Sequence, residues 1–281
     1  MRDIRIGQFM FALGFAGLGV LSIFSTDFPY TWEPVPAWVP GRAVLAVLSG
    51  VLLLGGAVGL MVRRIAAPTA LALTAFLLGW VLVLQAPRAA QAPGNIGMWL
   101  GVAEGTVLFT GGWALFAWLS EMADSVRTGW MGWMLSERGL AIARMLFGFA
   151  CLALGTSHFV YAKFTADMIP AWIPAHLFFA YFTGVGHIAA GLGVLCGVVP
   201  RLAVTMEAIM ISLFVLLLHI PAAIAQPGSR LNWTMVFIAT ALAGGVWNLA
   251  GILRGTAWVW TRRTAAQERP RLVMVQPPGH I

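Results

Sequence analysis

Long apolar runs separated by short polar joints set the rhythm of this chain. Val44–Val62, Leu71–Leu84, Trp99–Leu119 and Ile209–Leu218 are nearly free of charge. A helix needs about 20 mostly apolar residues to cross a bilayer, and the runs approach or reach that length. The pattern predicts eight helices, at about 6–26, 41–63, 66–86, 96–120, 138–158, 175–197, 201–220 and 232–254. The N-terminal stretch MRDIRIGQFMFALGFAGLGVLSIFS has a long apolar part and no clear small-x-small cleavage site, so it reads as a retained first span.

The eight runs fall into two matching sets. PAWVPGRAVLAVLSG begins at Pro36 and PAWIPAHLFFAYFTG at Pro170, an offset of 134 residues. The same offset pairs Gly50 with Gly184, Pro87 with Pro221, Trp99 with Trp233, Gly111 with Gly245 and Trp113 with Trp247. Apolar segments resemble one another by chance, but proline, glycine and tryptophan in constant register do not. The chain is therefore read as a duplicated unit of four spans. An even number of spans makes the two units parallel. The expected fold class is all-α and integral to the membrane, with eight transmembrane helices as two tandem four-helix bundles. The first unit covers 1–121, a cytoplasmic interfacial linker 122–137, the second unit 138–255 and a basic tail 256–281.

Composition agrees with this pattern. The chain of 281 residues is 60% hydrophobic and 10% charged, too little charge to clothe a water-facing domain. Its net charge of +7 does not point to nucleic acid, because the basic residues sit in small groups between apolar runs. Thirteen arginines (residues 2, 5, 63, 64, 127, 138, 144, 201, 254, 262, 263, 269 and 271) fall at one set of span ends; Arg42, Arg88, Lys163 and Arg230 fall at the other. The positive-inside rule then puts both termini in the cytoplasm of a bacterial inner membrane and the PAW[VI]P loops outside. Trp130 and Trp133 suggest a linker lying on the membrane surface, and the basic tail suggests attraction to membrane lipids.

The polar residues inside the spans differ between units. His158 matches Phe24, His176 matches Arg42, His187 matches Leu53, His219 matches Gln85 and Glu207 matches Leu73. Intramembrane ionisable residues are costly and mark functional sites by default, so this asymmetry assigns the site to the second unit and a supporting role to the first. At 1.5 Å per residue, His158, His176 and His219 share one depth near the outer face, and His187 lies roughly 16 Å deeper. Glu104 and Glu207 fall at different depths, which argues against a paired-carboxylate site. The two cysteines, Cys151 and Cys196, form no CxxC pair, and the chain has no CxxCH, GxGxxG, P-loop or HExxH motif.

The segment SHFVYAKFTADMIPAWIPAHLFFAYFTGVGHIAAGLGVL resembles the DoxX family of small four-helix membrane proteins. The features that carry it are His158-Phe159 at a span end, Pro170 and Pro174, Tyr181, Thr183-Gly184 and Ala190-Gly191; the first unit matches through Pro36, Pro40 and Ser49-Gly50. Where that family often has a glutamate, this chain has His187. The resemblance implies a membrane subunit linked to redox systems, such as those that pass electrons from thiosulfate to quinone or answer thiol stress.

Several readings of the polar residues stay open on sequence alone. In the first, a quinone headgroup sits near the outer face. His158 and His219 bind or protonate it, His187 and Glu207 relay protons, and Tyr161, Trp172, His176 and Phe179 line the pocket. Histidine suits such work because its pKa lies near neutrality. In the second, His158 and His219 ligate haem or another metal. In the third, His187, Glu104 and Glu207 are polar stations for a small hydrophobic solute. In the fourth, these side chains simply satisfy one another, and the chain anchors a larger complex containing another redox or membrane subunit.

Overall fold

The computed structural model describes residues 2–122 and 129–259. The remainder of the linker and of the basic tail, with Arg127, Arg262, Arg263, Arg269 and Arg271, lies outside the described residues. All regular structure within them is helical: α1 (Arg2–Ser25), α2 (Arg42–Met61), α3 (Ala66–Gly79), α4 (Ala86–Gln91), α5 (Ile96–Met122), α6 (Gly129–Leu135), α7 (Glu137–Val160), α8 (Ala162–Asp167), α9 (His176–Leu195), α10 (Pro200–Phe214), α11 (Ile220–Ala225) and α12 (Arg230–Ile252). Eight of the resulting helical stretches are long and apolar enough to cross a membrane. The protein is thus an all-α, multi-pass membrane protein.

The third and seventh spans are compound. Trp80–Gln85 joins α3 to α4 as a π-helical segment, and Val215–His219 joins α10 to α11 in the same way. Each precedes a proline, Pro87 or Pro221, in the first turn that follows. Proline lacks an N–H and crowds the carbonyl four residues back. The wider π turn accommodates it without breaking the span.

The 134-residue offset recurs in detail. Gly41 and Ala175 both enter their helices in the left-handed region, at φ 67° and 55°. The Trp99 indole donates to the Pro93 carbonyl and the Trp233 indole to the Pro227 carbonyl, each at 2.9 Å.

The two units brace each other. Within each, the spans pack in order: α1, α2, α3 and α5, then α7, α9, α10 and α12. The most extensive helix contact is between α1 and α12, and its counterpart joins α7 to α5. The first helix of each unit therefore packs on the last helix of the other. The two last helices also touch, and they are the most buried spans. Their meeting point is a pair of equivalent glycines. A Cβ placed on Gly111 would stand 2.3 Å from the Gly245 Cα. Equivalent residues in mutual contact lie on a two-fold axis, so the axis relating the units runs between these glycines. Gly14 and Gly244 permit similar approaches of α1 to α12, against Ala241 and Phe11. Lipid tails are as apolar as leucine, so close backbone packing at small residues holds such helices together.

A polar clasp closes the same contact at the end bearing the 26–41 and 161–175 loops, here termed the proline-loop end. Asp27 follows α1 and forms ion pairs with Arg42 at the start of α2 and Arg230 at the start of α12. Arg230 also donates to the Asp27 and Phe28 carbonyls at 3.2 and 2.5 Å. Partial burial pushes the Asp27 carboxyl up, but the hydrogen bonds from Arg42 and Arg230 outweigh this and hold it below the ordinary carboxylate range.

Gly111→Ala is expected to lower stability in detergent by about 1–3 kcal/mol, the cost of an overpacked contact. Gly55→Ala, where a Cβ would meet nothing within 4 Å, leaves stability unchanged. Denaturant titration followed by circular dichroism distinguishes the two.

Candidate functional site

α9 and α10 form an antiparallel pair, and each brings one ionisable side chain to their interface. His187 Nδ1 lies 2.5 Å from Glu207 Oε1, and both residues are buried. Nδ1 is the ring nitrogen that faces the Glu207 carboxyl, so one proton lies between them, and Nε2 is the second ring position. The pair is neutral as a whole, whether written imidazolium–carboxylate or imidazole–carboxylic acid. Only a neutral unit is tolerable at this depth. Glu207 Oε2 is buried and has no hydrogen-bond partner among the described residues.

His158, near the end of α7, completes a cluster. Its ring packs edge-on to the His187 ring at 4.9 Å between centroids. Phe214 stacks on His158 at 6.2 Å and meets His187 edge-on at 6.0 Å. The Thr183 hydroxyl donates to the Phe179 carbonyl at 2.8 Å. Its oxygen therefore accepts from His158 Nδ1, 3.0 Å away. Nδ1 carries the proton and Nε2 offers its lone pair. The structure thus assembles two imidazoles and a carboxyl from three separate helices.

The other expected site residues lie elsewhere. His158 does not share the depth of His176, because α9 starts about two turns beyond the end of α7. Gly184, eight residues into α9, sits beside His158. His158 consequently falls level with the middle of α9, against His187 rather than roughly 16 Å from it. His219 ends its π segment with neither a hydrogen bond nor a ring contact to either imidazole. Among the described residues no three His, Cys, Asp or Glu side chains are placed to hold a metal. Tyr161 serves as a strut between the units: its hydroxyl donates to Asn95 Oδ1 at 3.3 Å and accepts from the Gly97 N–H at 3.1 Å. Trp172 is largely exposed. His176 opens α9 half-buried. Phe179 packs edge-on with Phe178 and Phe182 in an aromatic patch on the lipid-facing side of α9.

Glu104 belongs to a second polar cluster, in the unit expected to be plain scaffold. The Trp32 indole faces its carboxyl without closing a bond of normal geometry. Beside Trp32, Glu33 is almost wholly buried, and the Ser49 hydroxyl lies 2.8 Å from both of its carboxyl oxygens. Trp80 faces the same carboxyl, again without a completed hydrogen bond. Burial pushes the Glu33 carboxyl up to about 7 against the opposing pull of Ser49 and Trp80. Sequence reasoning passed over Glu33 because TWEPVP reads as a surface loop; the available signal was a lone acid between two tryptophan-bearing, proline-rich stretches.

No protein-family model, curated protein or solved structure matches this chain.

Removing one partner of the deep pair should be costly and removing both should not. Glu207→Leu alone is expected to destabilise by about 3–5 kcal/mol, by stranding His187. His187→Leu with Glu207→Leu, which restores the residues found at the equivalent positions Leu53 and Leu73, is expected to recover most of that loss. Unfolding midpoints of the single and double variants in detergent check this.

Proposed function

We propose that the chain is a DoxX-like integral membrane subunit of a quinone-linked redox system. It would sit in the bacterial inner membrane with both termini cytoplasmic, and the His158–His187–Glu207 cluster would be its proton-handling centre. One observation carries the reading: a buried 2.5 Å contact between His187 and Glu207 with the His158 ring against it. Carboxyl and imidazole groups in this arrangement hold a proton that either partner can release, and His158 Nε2 offers a lone pair at the edge of the cluster.

The surroundings suit a flat hydrophobic ligand. Phe159 packs on Tyr181 at 5.6 Å and Phe178 stacks on Phe182 at 5.8 Å, all four exposed on the lipid-facing side of the helices that carry His158 and Thr183. A ring entering from the bilayer would meet aromatic faces first and an imidazole behind them. A bound quinone supplies two-electron, two-proton chemistry. The residues of this chain orient the ring, offer the His158 Nε2 lone pair to a hydroxyl of the reduced, quinol form and hold one proton between His187 and Glu207. Electrons would come from a partner subunit, since no nucleotide, flavin or haem-attachment motif is present in the sequence.

The test begins with organic extraction of the protein purified in mild detergent. Quinone should co-purify with the wild type and fall about tenfold or more in His158→Ala, a loss of at least 1.4 kcal/mol in binding. Added quinone should raise the unfolding temperature of the wild type only. Absence of quinone together with an unchanged unfolding temperature overturns the proposal in favour of an anchoring role. A Soret band that disappears in His158→Ala overturns it in favour of haem.

A further inference from the structure

The first unit presents the same cradle as the second but fills it with a different titratable group. Ser49 and Thr183 are equivalent positions, as are Trp80 and Phe214. In the second unit Thr183 accepts from His158 and Phe214 stacks on it. In the first, Ser49 is bound to Glu33 and Trp80 faces it. The residues equivalent to His158 and Glu33 are Phe24 and Asp167. Phe24 is 85% exposed, and Asp167 is an exposed partner of Lys163. Each cradle thus receives one ionisable side chain, from the end of α7 in one unit and from the 26–41 loop in the other.

We infer that Glu33 is a second proton-binding site of the protein, exchanging one proton with water at the proline-loop end, with Ser49 and Trp80 setting its occupancy. The inference does not rest on the quinone reading. Its geometry is specific. A serine hydroxyl has a single hydrogen, yet Ser49 Oγ stands 2.8 Å from both carboxyl oxygens. The hydroxyl donates to the ionised carboxylate, the stronger bond, and accepts from the carboxyl when that holds a proton, so the same contact serves both states.

No cation compensates the charge. Among the described residues Glu33 has no ion pair. The groups around it are Ser49 from α2, Trp80 from the π segment and Trp32 from its own loop, with Glu104 of α5 beyond Trp32. Of the cations of the same end, Arg42 and Arg230 are engaged by Asp27 and Lys163 by Asp167, and Arg88 forms no ion pair with Glu33. The buried Trp80 indole N–H lacks an acceptor of normal geometry and is aimed at the carboxyl. It is placed to gain a bond when Glu33 ionises. Gln85 positions the loop by donating to the Thr31 and Trp32 carbonyls at 2.6 and 3.1 Å. The reaction is the loss or gain of one proton by the carboxyl, with bulk water as the other partner.

Infrared difference spectroscopy of the full chain across a pH series tests this directly. A protonated-carboxyl band should titrate near the value of about 7 expected for Glu33. Its Glu33 component should vanish in Glu33→Gln and persist in Glu104→Gln and Glu207→Gln. In Ser49→Ala the midpoint should move up, because the hydroxyl favours the ionised form. Thermal stability supplies a second readout. The folded chain keeps the Glu33 proton while the unfolded chain loses it near 4.5. Wild-type stability should therefore fall as pH rises from about 4.5 to about 7, and this fall should be smaller in Glu33→Gln. A band unchanged in Glu33→Gln, or a midpoint unmoved in Ser49→Ala, overturns the proposal. So does a stability profile that is the same with and without the carboxyl.

Discussion

The contact between α5 and α12 at Gly111 and Gly245 governs the architecture. With no side chain on either residue, two backbones approach closely enough for dispersion forces to act along a long stretch of helix. In a hydrocarbon solvent that is the main attraction available. Because the two glycines are equivalent positions, the contact also sets the symmetry of the molecule. Everything outward follows from it. α1 reaches across to α12, α7 reaches across to α5, and Asp27 with Arg42 and Arg230 seals the first of these crossings at its wet end. Neither unit is an independent cylinder; each leans on the last helix of the other.

Polar chemistry is subordinate to the same solvent. A charge in the bilayer must be neutralised locally or kept near an end. The second unit takes the first course, pairing His187 with Glu207 across α9 and α10 and enclosing them with His158 and Phe214. The first unit takes the other course. It buries a carboxyl in a loop at the mouth, within reach of a hydroxyl and an indole. The two units hold equivalent positions of one cradle, and each is furnished differently. The comparison between the copies identifies which features belong to the scaffold and which to each site.

Much of the fold was legible before any coordinates. The constant register of Pro36 and Pro170, Pro87 and Pro221, and Trp99 and Trp233 revealed the repeat, and apolar run length revealed the spans. The matched bonds of Trp99 and Trp233 and the left-handed entries at Gly41 and Ala175 show that register carried into structure. The candidate site was legible in its membership but not in its arrangement. His158, His187 and Glu207 stood out because their counterparts are apolar. His219 and Tyr161, whose counterparts Gln85 and Asp27 are polar, lie elsewhere, one at a π segment and one between units. Counting residues from span ends misjudged His158 because the ends of α7 and α9 are staggered, and stagger is not written in either helix alone.

Hydropathy and periodicity act over one or two dozen residues, and over that range the chain alone determined its spans, its duplication and the residue types available for chemistry. Which helix faces which was decided only in three dimensions. Glycine-to-glycine contacts select partners by fit between distant segments, and fit depends on both surfaces at once. The pairing of His187 with Glu207, the placement of His158 over them and the burial of Glu33 beneath Ser49 and Trp80 all descend from that choice.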